Sequence, residues 1–270
     1  MSICKNALHA LRAQNKVCKA FGIKLITSPE IVHVAHNAGF DSLFIDLEHS
    51  ALSLREANTL CVAALSVGIS PFVRVPGQSS AGFVQRVLDN GAQGVIFPHC
   101  DSAEQARAAV RMAKYPPLGK RSVMAMLPHM GYRQAPLTEV TALGNAELST
   151  VVVMIESPEA VRDVDAIAGT EGVDVVLVGS NDLSIELGVP GDWDSPVFSE
   201  ALARIADAVR RHSKILGVAG IYNRPDVMHE CIHRHGARFV LGQNDLPLMY
   251  KAAGEVASKL EELEGKEQLP

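Results

Sequence analysis

Short runs of aliphatic and β-branched residues recur along the chain, separated by longer segments with apolar residues on one helical face. Apolar runs of about four to eight residues between turn formers are typical of strands buried on both faces, as in parallel sheets. Several of the helical segments begin at a Ser-Pro-Glu sequence or end at a glycine. The pattern predicts strands at residues 20–27, 42–47, 71–75, 94–98, 151–155, 173–178, 215–219 and 238–241.

A helix is predicted after each of these strands, and this succession is typical of a closed (β/α)₈ barrel, the TIM barrel, rather than of an open doubly wound sheet. The chain has 270 residues, and such a barrel needs about 250. We therefore expect a single TIM-barrel domain of class α/β over residues 1–270. An additional helix is predicted at residues 2–15 and a closing helix near residues 245–263.

The connection between the fourth and fifth predicted strands is longer than the others. Its surplus, roughly residues 115–150, is rich in Pro, Gly and polar side chains. Long irregular connections inside compact domains are often lids or binding loops. We expect this segment to form a loop over the active rim of the barrel.

Composition and charge exclude several classes of function. A net charge of -5 and a pI near 6.1 give no basic surface for nucleic acid. The sequence has no apolar run of about 18 residues for a membrane span, and its N-terminus does not resemble a secretory signal. The five cysteines include no CxxC pair, which favours reduced thiols over disulfides or a zinc site. We expect a cytoplasmic protein.

Two carboxylates are candidates for a metal site. Glu156 and Asp182 follow neighbouring predicted strands, so both can approach one point at the carboxyl-terminal rim of a barrel. One or two carboxylates, with water and substrate oxygens, are sufficient to hold Mg²⁺ or Mn²⁺. The alternative is that each carboxylate only caps the helix that follows it.

Other charged residues are predicted at the same rim. Arg74 ends the third strand, and its guanidinium suits a substrate carboxylate, although a salt bridge with Asp46 or Glu48 is the alternative. His49 follows the second strand and carries a ring nitrogen able to shuttle a proton. Asp89, in the helix before the fourth strand, either orients His49 or is only solvated.

The turn Gly179-Ser180-Asn181 follows the sixth predicted strand. Backbone N–H groups in such a turn, at the start of a helix, can receive a carboxylate or phosphate. The sequence has no GxGxxG after a strand and no Walker motif, which argues against dinucleotide and P-loop sites. The turn at residues 242–245 is interpreted as a helix cap rather than as a phosphate site.

Six segments, taken together and in this order, resemble the HpcH/HpaI aldolase family of metal-dependent pyruvate aldolases. They include the strings Asp-Leu-Glu-His, Val-Arg-Val-Pro, Ile-Glu-Ser-Pro and Gly-Ser-Asn-Asp-Leu-Ser. The resemblance implies a TIM barrel whose final helix packs on a partner subunit, in homo-oligomers built from such dimers, often hexamers. The segments lie at residues 38–49, 73–76, 88–98, 115–122, 155–161 and 179–184.

The resemblance also implies roles for individual residues. Glu156 and Asp182 would bind Mg²⁺, Mn²⁺ or Co²⁺, and Arg74 would hold the oxygens of pyruvate. His49, supported by Asp89, would take the proton from the hydroxyl of a 4-hydroxy-2-oxo acid. The implied reaction is reversible cleavage to pyruvate and an aldehyde, through a pyruvate enolate that the metal stabilises. The predicted substrate-binding residues beside Arg74 are Gly179, Ser180 and Asn181.

The chain departs from the family pattern at two places. Met154 stands where many members carry Gln, and residues 121–133 replace a loop that is usually glycine-rich and contains an arginine. These apolar replacements predict an aldehyde less polar than a sugar acid. Two other functions remain open. One is a CoA-ester lyase or decarboxylating relative on the same barrel, and the other is a barrel without catalysis that binds an oxo acid.

Overall fold

Eight parallel strands form a closed barrel in the computed structural model, which describes residues 5–264 of the chain. Each strand pairs with the next, and the last pairs with the first. The predicted TIM barrel is therefore confirmed. The strands are β1 Cys18–Ile23, β2 Ser42–Asp46, β3 Ser70–Arg74, β4 Gly94–Phe97, β5 Thr150–Ile155, β6 Val175–Gly179, β7 Ile215–Ala219 and β8 Ala237–Asn244.

Helices surround the barrel and connect successive strands. A 3₁₀ turn at Pro128–Met130 lies in the connection between β4 and β5. Within residues 5–264 the helices are α1 Ala7–Ala13, α2 Glu30–Asn37, α3 Leu54–Val67, α4 Ala81–Asp89, α5 Ala103–Ala113, α6 Leu137–Ala146, α7 Pro158–Ala168, α8 Ser180–Glu186, α9 Pro196–Arg211, α10 Pro225–His233 and α11 Asp245–Glu264.

Apolar side chains fill both sides of the sheet. Seven of the eight strands are buried at all or nearly all positions, because the inner face packs in the barrel and the outer face packs on helices. This double burial explains why the strands read as continuous apolar runs. Side chains in the barrel interior include Phe44, Phe72, Met154, Leu177 and Phe239.

Helix α1 closes the amino-terminal end of the barrel. Its Leu8 packs with the interior side chains, and the Ala7 N–H donates to Ser70 Oγ at 2.8 Å. Just before the helix, Asn6 Nδ2 donates to Thr150 Oγ1 at 3.0 Å. The carboxyl-terminal end of the barrel therefore remains as the place for a site. The predicted helix began at residue 2, and residues 2–4 lie outside the described residues.

The long connection between α5 and β5 lies at the amino-terminal end of the barrel, so the expected loop over the active rim is wrong. His129 Nε2 lies 2.9 Å from the oxygen of Ala92, just before β4, and Lys114 Nζ donates to Asp174, just before β6, at 2.9 Å. Helix α5 runs antiparallel to the strands and returns the chain to this end. The segment also contains α6, which was not predicted.

The C-terminal helix α11 extends away from the barrel. Asp245 at its start is buried, whereas every described residue from 246 onward is exposed. Its exposed apolar side chains include Tyr250, which is 82% exposed, and also Leu246, Met249, Val256, Leu260 and Leu263. Among the described residues, no helix combines the length and the apolar character needed to cross a membrane.

The cysteines of the described residues are free and buried. Burial raises the pKa of Cys18, Cys100 and Cys231 to about 12. These thiols and that of Cys61 are packed in the core. Cys4 lies outside the described residues.

Candidate active site

A polar cavity opens at the carboxyl-terminal end of the barrel and has a volume of about 90 Å³. It lies where the side chains that follow the strands converge, opposite the end that α1 closes. Its walls combine apolar residues of the barrel interior with charged residues of the rim. The lining residues are Lys24, Phe44, His49, Arg74, Met154, Glu156, Gly179, Ser180, Asn181, Asp182, Ala219, Gly220, Tyr222, Leu241 and Asn244.

Arg74 is held by two acidic residues. Its Nε and Nη2 donate to Asp46 Oδ1 and Oδ2 at 2.9 and 2.5 Å, and its Nη1 lies 3.0 Å from Glu48 Oε2. The guanidinium also lies over the Phe44 ring, 5.6 Å from the centroid. The internal salt bridge that the sequence left as an alternative is therefore present. It uses only part of the donor set of a guanidinium, and Arg74 still lines the cavity.

The carboxylate of Asp46 is fully buried and charged. Burial alone would raise its pKa, but hydrogen bonds and charge from Arg74, together with the charge of Lys24, lower the pKa to about 2. Asp46 Oδ1 also accepts the backbone N–H groups of Glu48 and His49, at 3.0 and 3.2 Å. Asp46 thus fixes both Arg74 and the chain segment that follows β2.

Lys24 brings a second cation to the cavity. It follows β1, its side chain is 27% exposed, and its Nζ lies 3.1 Å from Asp46 Oδ2. The carboxylate of Asp245 at the end of β8 accepts the backbone N–H groups of Lys24, Leu25 and Ile26 at 2.9, 3.0 and 2.8 Å. Strand β1 therefore ends at Ile23, earlier than predicted, and the chain turns so that Lys24 reaches the cavity.

Glu156 lies at the end of β5 and is only 3% exposed. Helix α7, which follows it, is capped by Ser157, whose Oγ accepts the Ala160 N–H at 3.0 Å, so Glu156 is not the cap. Burial raises the pKa of Glu156, and the charge of nearby Asp182 raises it further, while the His99 N–H opposes this. A Cβ on Gly179 would lie 2.4 Å from Glu156 Oε1, so a larger residue there would displace this carboxylate.

The donor set fits a divalent cation. Within the described residues, Glu156 forms no salt bridge with a lysine or arginine and pairs only with His99, and Asp182 lies in the first turn of α8 beside it. Ser180 Oγ and Asn244 Oδ1 are buried cavity atoms without a hydrogen-bond partner in the described part of the chain. No group of three or more His, Cys, Asp or Glu surrounds one point within residues 5–264. Two carboxylates would thus share the ion with water and substrate oxygens.

His49 lies at the mouth of the cavity with its ring largely exposed. Its Nε2 is 3.8 Å from Glu48 Oε2, and its backbone N–H is held by Asp46. Glu48 therefore lies between His49 and Arg74. The position suits a residue that exchanges protons with a molecule in the cavity.

Asp89 lies far from His49 within one chain. The prediction that Asp89 orients His49 is therefore wrong within one chain. Asp89 ends α4 and lies at the amino-terminal side of the barrel, where it accepts from Arg121 Nη2 at 2.6 Å. Arg121 in turn lies over the Tyr115 ring, 4.6 Å from its centroid. A helix that precedes a strand ends beside the start of that strand, which places Asp89 and residues 121–133 away from the rim.

The sequence interpretation missed several cavity residues. The predicted first strand includes Lys24, but β1 ends before it. His99 does not line the cavity but lies beside it, next to Glu156, and the sequence motifs do not include it. Tyr222 and Asn244 follow or end β7 and β8, so the rule that strand ends carry site residues, applied to all eight strands, would have found them. Asn244 Nδ2 donates to the Tyr222 hydroxyl at 3.4 Å.

TIM-barrel enzymes have their active sites at the carboxyl-terminal rim, which is where this chain places its cavity and its charged residues. The chain belongs to the HpcH/HpaI aldolase/citrate lyase family, whose model matches residues 25–246. This membership agrees with the resemblance found in the sequence motifs.

Two relatives that match nearly the whole chain are named aldolases. The chain is 46% identical over 258 residues to the 4-hydroxy-4-methyl-2-oxoglutarate aldolase of Hapsidospora irregularis, covering 94% of this chain and 96% of that one. It is 43% identical over 252 residues to the protein of the same activity from Chaetomium globosum, covering 93% and 94%. A crystal structure of an HpcH/HpaI aldolase from Desulfitobacterium hafniense DCB-2 superposes with a TM-score of 0.87 at 30% identity, over 97% of each chain. The protein is accordingly an aldolase, a carbon–carbon lyase, rather than a barrel without catalysis.

Proposed function

We propose that the enzyme cleaves a 4-hydroxy-2-oxo acid to pyruvate and a second carbonyl compound, reversibly, with a divalent metal ion held by Glu156 and Asp182. This proposal rests on one observation: Glu156, Asp182 and Arg74 line the same cavity, and Glu156 is buried. Mg²⁺, Mn²⁺ and Co²⁺ suit such a carboxylate and water environment.

The substrate is oriented by the charged residues of the cavity. Arg74 donates its remaining N–H groups to the carboxylate of the 2-oxo acid, and Asp46 keeps the guanidinium fixed during binding. Ser180 Oγ and Asn244 Oδ1 offer further polar contacts. An ion held by Glu156 and Asp182 would withdraw electrons from the 2-oxo oxygen as a Lewis acid. Gly179 and Asn181 complete the wall beside Glu156.

His49 accepts the proton of the 4-hydroxyl group. When this O–H bond breaks, C4 becomes a carbonyl carbon and the C3–C4 bond breaks. The electron pair of that bond goes to C3 and forms the enolate of pyruvate, which takes a proton to give pyruvate. Glu48 Oε2 lies 3.8 Å from His49 Nε2, and general-base catalysis of this kind accelerates a reaction by about 10² to 10⁴. The apolar side chains of Met154, Phe44 and Leu241 exclude water from the reacting atoms.

A dicarboxylate is the substrate class that we propose. Two cations, Arg74 and Lys24, line the cavity, and the carboxylate of each substrate end would meet one of them. The relatives from Hapsidospora irregularis and Chaetomium globosum are named for 4-hydroxy-4-methyl-2-oxoglutarate, a dicarboxylate that cleaves to two pyruvate molecules. The expectation of a less polar aldehyde rested on Met154 and on residues 121–133. Met154 does line the cavity, whereas residues 121–133 lie at the opposite end of the barrel in the same chain.

The Lys24→Met variant tests both the reaction and the substrate class. Wild type with Mg²⁺ is expected to release pyruvate from 4-hydroxy-4-methyl-2-oxoglutarate faster than from 4-hydroxy-4-methyl-2-oxopentanoate, in which a methyl group replaces the second carboxylate. In the variant, kcat/KM for the dicarboxylate falls by about 10- to 100-fold, since a charge-assisted hydrogen bond contributes about 1.5–3 kcal/mol. The kcat/KM of the variant for the monocarboxylate equals that of wild type. Pyruvate is measured with a coupled dehydrogenase.

Lys19→Met is the matched control, because Lys19 lies on β1, the strand that Lys24 follows, but pairs with Asp41 at 3.7 Å, outside the cavity. If Lys24→Met slows both substrates equally, Lys24 acts only through Asp46 and the dicarboxylate proposal fails. If wild type releases pyruvate from neither substrate, the proposed reaction itself is wrong.

Helix α11 supports the further proposal that the protein is a homo-oligomer built from dimers. The apolar side chains of this helix from residue 246 onward are exposed, and a partner subunit would cover them. A cytoplasmic location remains a prediction from composition.

A further inference from the structure

His99 is a residue of the rim that neither the motifs nor the proposed reaction use. It follows Pro98 after β4, and its ring is 54% exposed. Its backbone has φ of +53°, a left-handed conformation that is uncommon for residues other than glycine and that clusters at functional sites. The surroundings of His99 therefore hold it in a specific arrangement.

Three contacts join His99 to two acidic residues on different sides of the barrel. Its backbone N–H donates to Glu156 Oε2 at 2.8 Å, and its ring Nδ1 lies 3.5 Å from the same oxygen. Its ring Nε2 lies 3.2 Å from Glu48 Oε1.

The carboxylate of Glu156 is thereby confined from two sides. His99 engages Oε2, while the backbone of Gly179 lies against Oε1 so closely that a Cβ there would be 2.4 Å away. Rotation of the carboxylate would break the His99 contact, so one oxygen keeps a fixed direction relative to Asp182. The ring also connects Glu156 through Glu48 to Arg74.

We propose that His99 is a positioning residue, which orients Glu156 for cation binding and links the metal ligands to the Glu48–Arg74 pair. The inference rests on the proposed metal role of Glu156 and Asp182. Direct ligation by the ring is a poorer interpretation, because Glu156, Asp182 and His99 do not form a three-ligand group among the described residues. Partners that orient metal ligands usually change affinity by about 10- to 100-fold when they are removed.

The test is the affinity of purified, metal-stripped protein for Mn²⁺, measured by calorimetry without substrate. We expect His99→Ala and His99→Asn to bind Mn²⁺ at least about 10-fold more weakly than wild type. At saturating Mn²⁺ both variants should retain kcat for pyruvate release within about threefold, since the ring does not touch the reacting atoms. His99→Asn guards against misfolding, because Asn tolerates a positive φ.

His33→Ala, a change of an exposed histidine on α2, is the matched control and should bind Mn²⁺ like wild type. Unchanged Mn²⁺ affinity in both His99 variants would overturn the proposal. A lower kcat at every Mn²⁺ concentration with unchanged affinity would overturn it too, and would indicate that the ring contacts substrate. Failure of wild type to bind Mn²⁺ would instead contradict the proposed metal site.

Discussion

Glu156→Gln is expected to lower kcat for pyruvate release by ~10³-fold or more, because Lewis-acid stabilisation by a metal ion contributes several kcal/mol and each 1.36 kcal/mol is about tenfold. The amide has nearly the shape of the carboxylate, and its oxygen can still accept the His99 N–H. The fold should therefore survive, while the negative charge for the cation is lost. The measurements are steady-state kinetics with saturating Mg²⁺ and Mn²⁺ binding by calorimetry.

Glu159→Gln serves as the control for this change. Glu159 is an exposed acid on the first turn of α7 that pairs with Arg162, and its replacement should leave both turnover and Mn²⁺ binding unchanged. A Glu156→Gln enzyme that keeps turnover within about threefold of wild type would show that the buried carboxylate is dispensable.

Arg74→Lys is expected to lower kcat/KM by roughly 10²-fold or more, because a lysine ammonium cannot reproduce the bidentate fork that holds Asp46 and receives a substrate carboxylate. Each hydrogen bond to a charged group that is lost costs about 1.5–3 kcal/mol. The readout is kcat/KM for pyruvate release, with Arg86→Lys, an exposed arginine on α4, as the control. Equal kcat/KM in Arg74→Lys and wild type would contradict the binding role.

The same replacement should change the pH dependence of folding stability. In the folded protein the pKa of Asp46 is about 2, below its ordinary value of 3.8. The group therefore stabilises the fold by about 2 kcal/mol above pH 3.8, and this contribution is lost as the pH falls from 3.8 towards 2. Arg74→Lys should reduce the free energy of unfolding in urea at pH 7, and the difference from wild type should shrink near pH 2.

The barrel could be predicted from sequence because its strands are apolar on both faces, and because helix caps such as Ser53 and Ser157 mark where helices begin. The positions of Arg74, Glu156 and Asp182 at the open end follow from the same rule, since side chains after parallel strands meet at one rim. Local periodicity and strand order are thus sufficient for the framework of the site.

Contacts between distant segments explain what the sequence did not reveal. The three N–H groups that Asp245 accepts end β1 and bring Lys24 into the cavity, although 221 residues separate Lys24 from Asp245. His99 meets Glu48 and Glu156 only in the closed barrel. Asp89 and residues 115–150 were wrongly predicted at the active rim for another reason. Each helix returns the chain to the amino-terminal end of the barrel, so a segment that directly precedes a strand lies at that end.

The exchange of the methyl protons of pyruvate with deuterium in D₂O, followed by NMR, tests the central claim most directly, because it reports enolate formation without any second substrate. We expect wild type with Mg²⁺ to exchange these protons, and metal-stripped wild type and Glu156→Gln to exchange them no faster than buffer. Exchange at the full rate in metal-stripped protein, or in Glu156→Gln, would contradict the claim that Glu156 and Asp182 hold the ion on which the reaction depends.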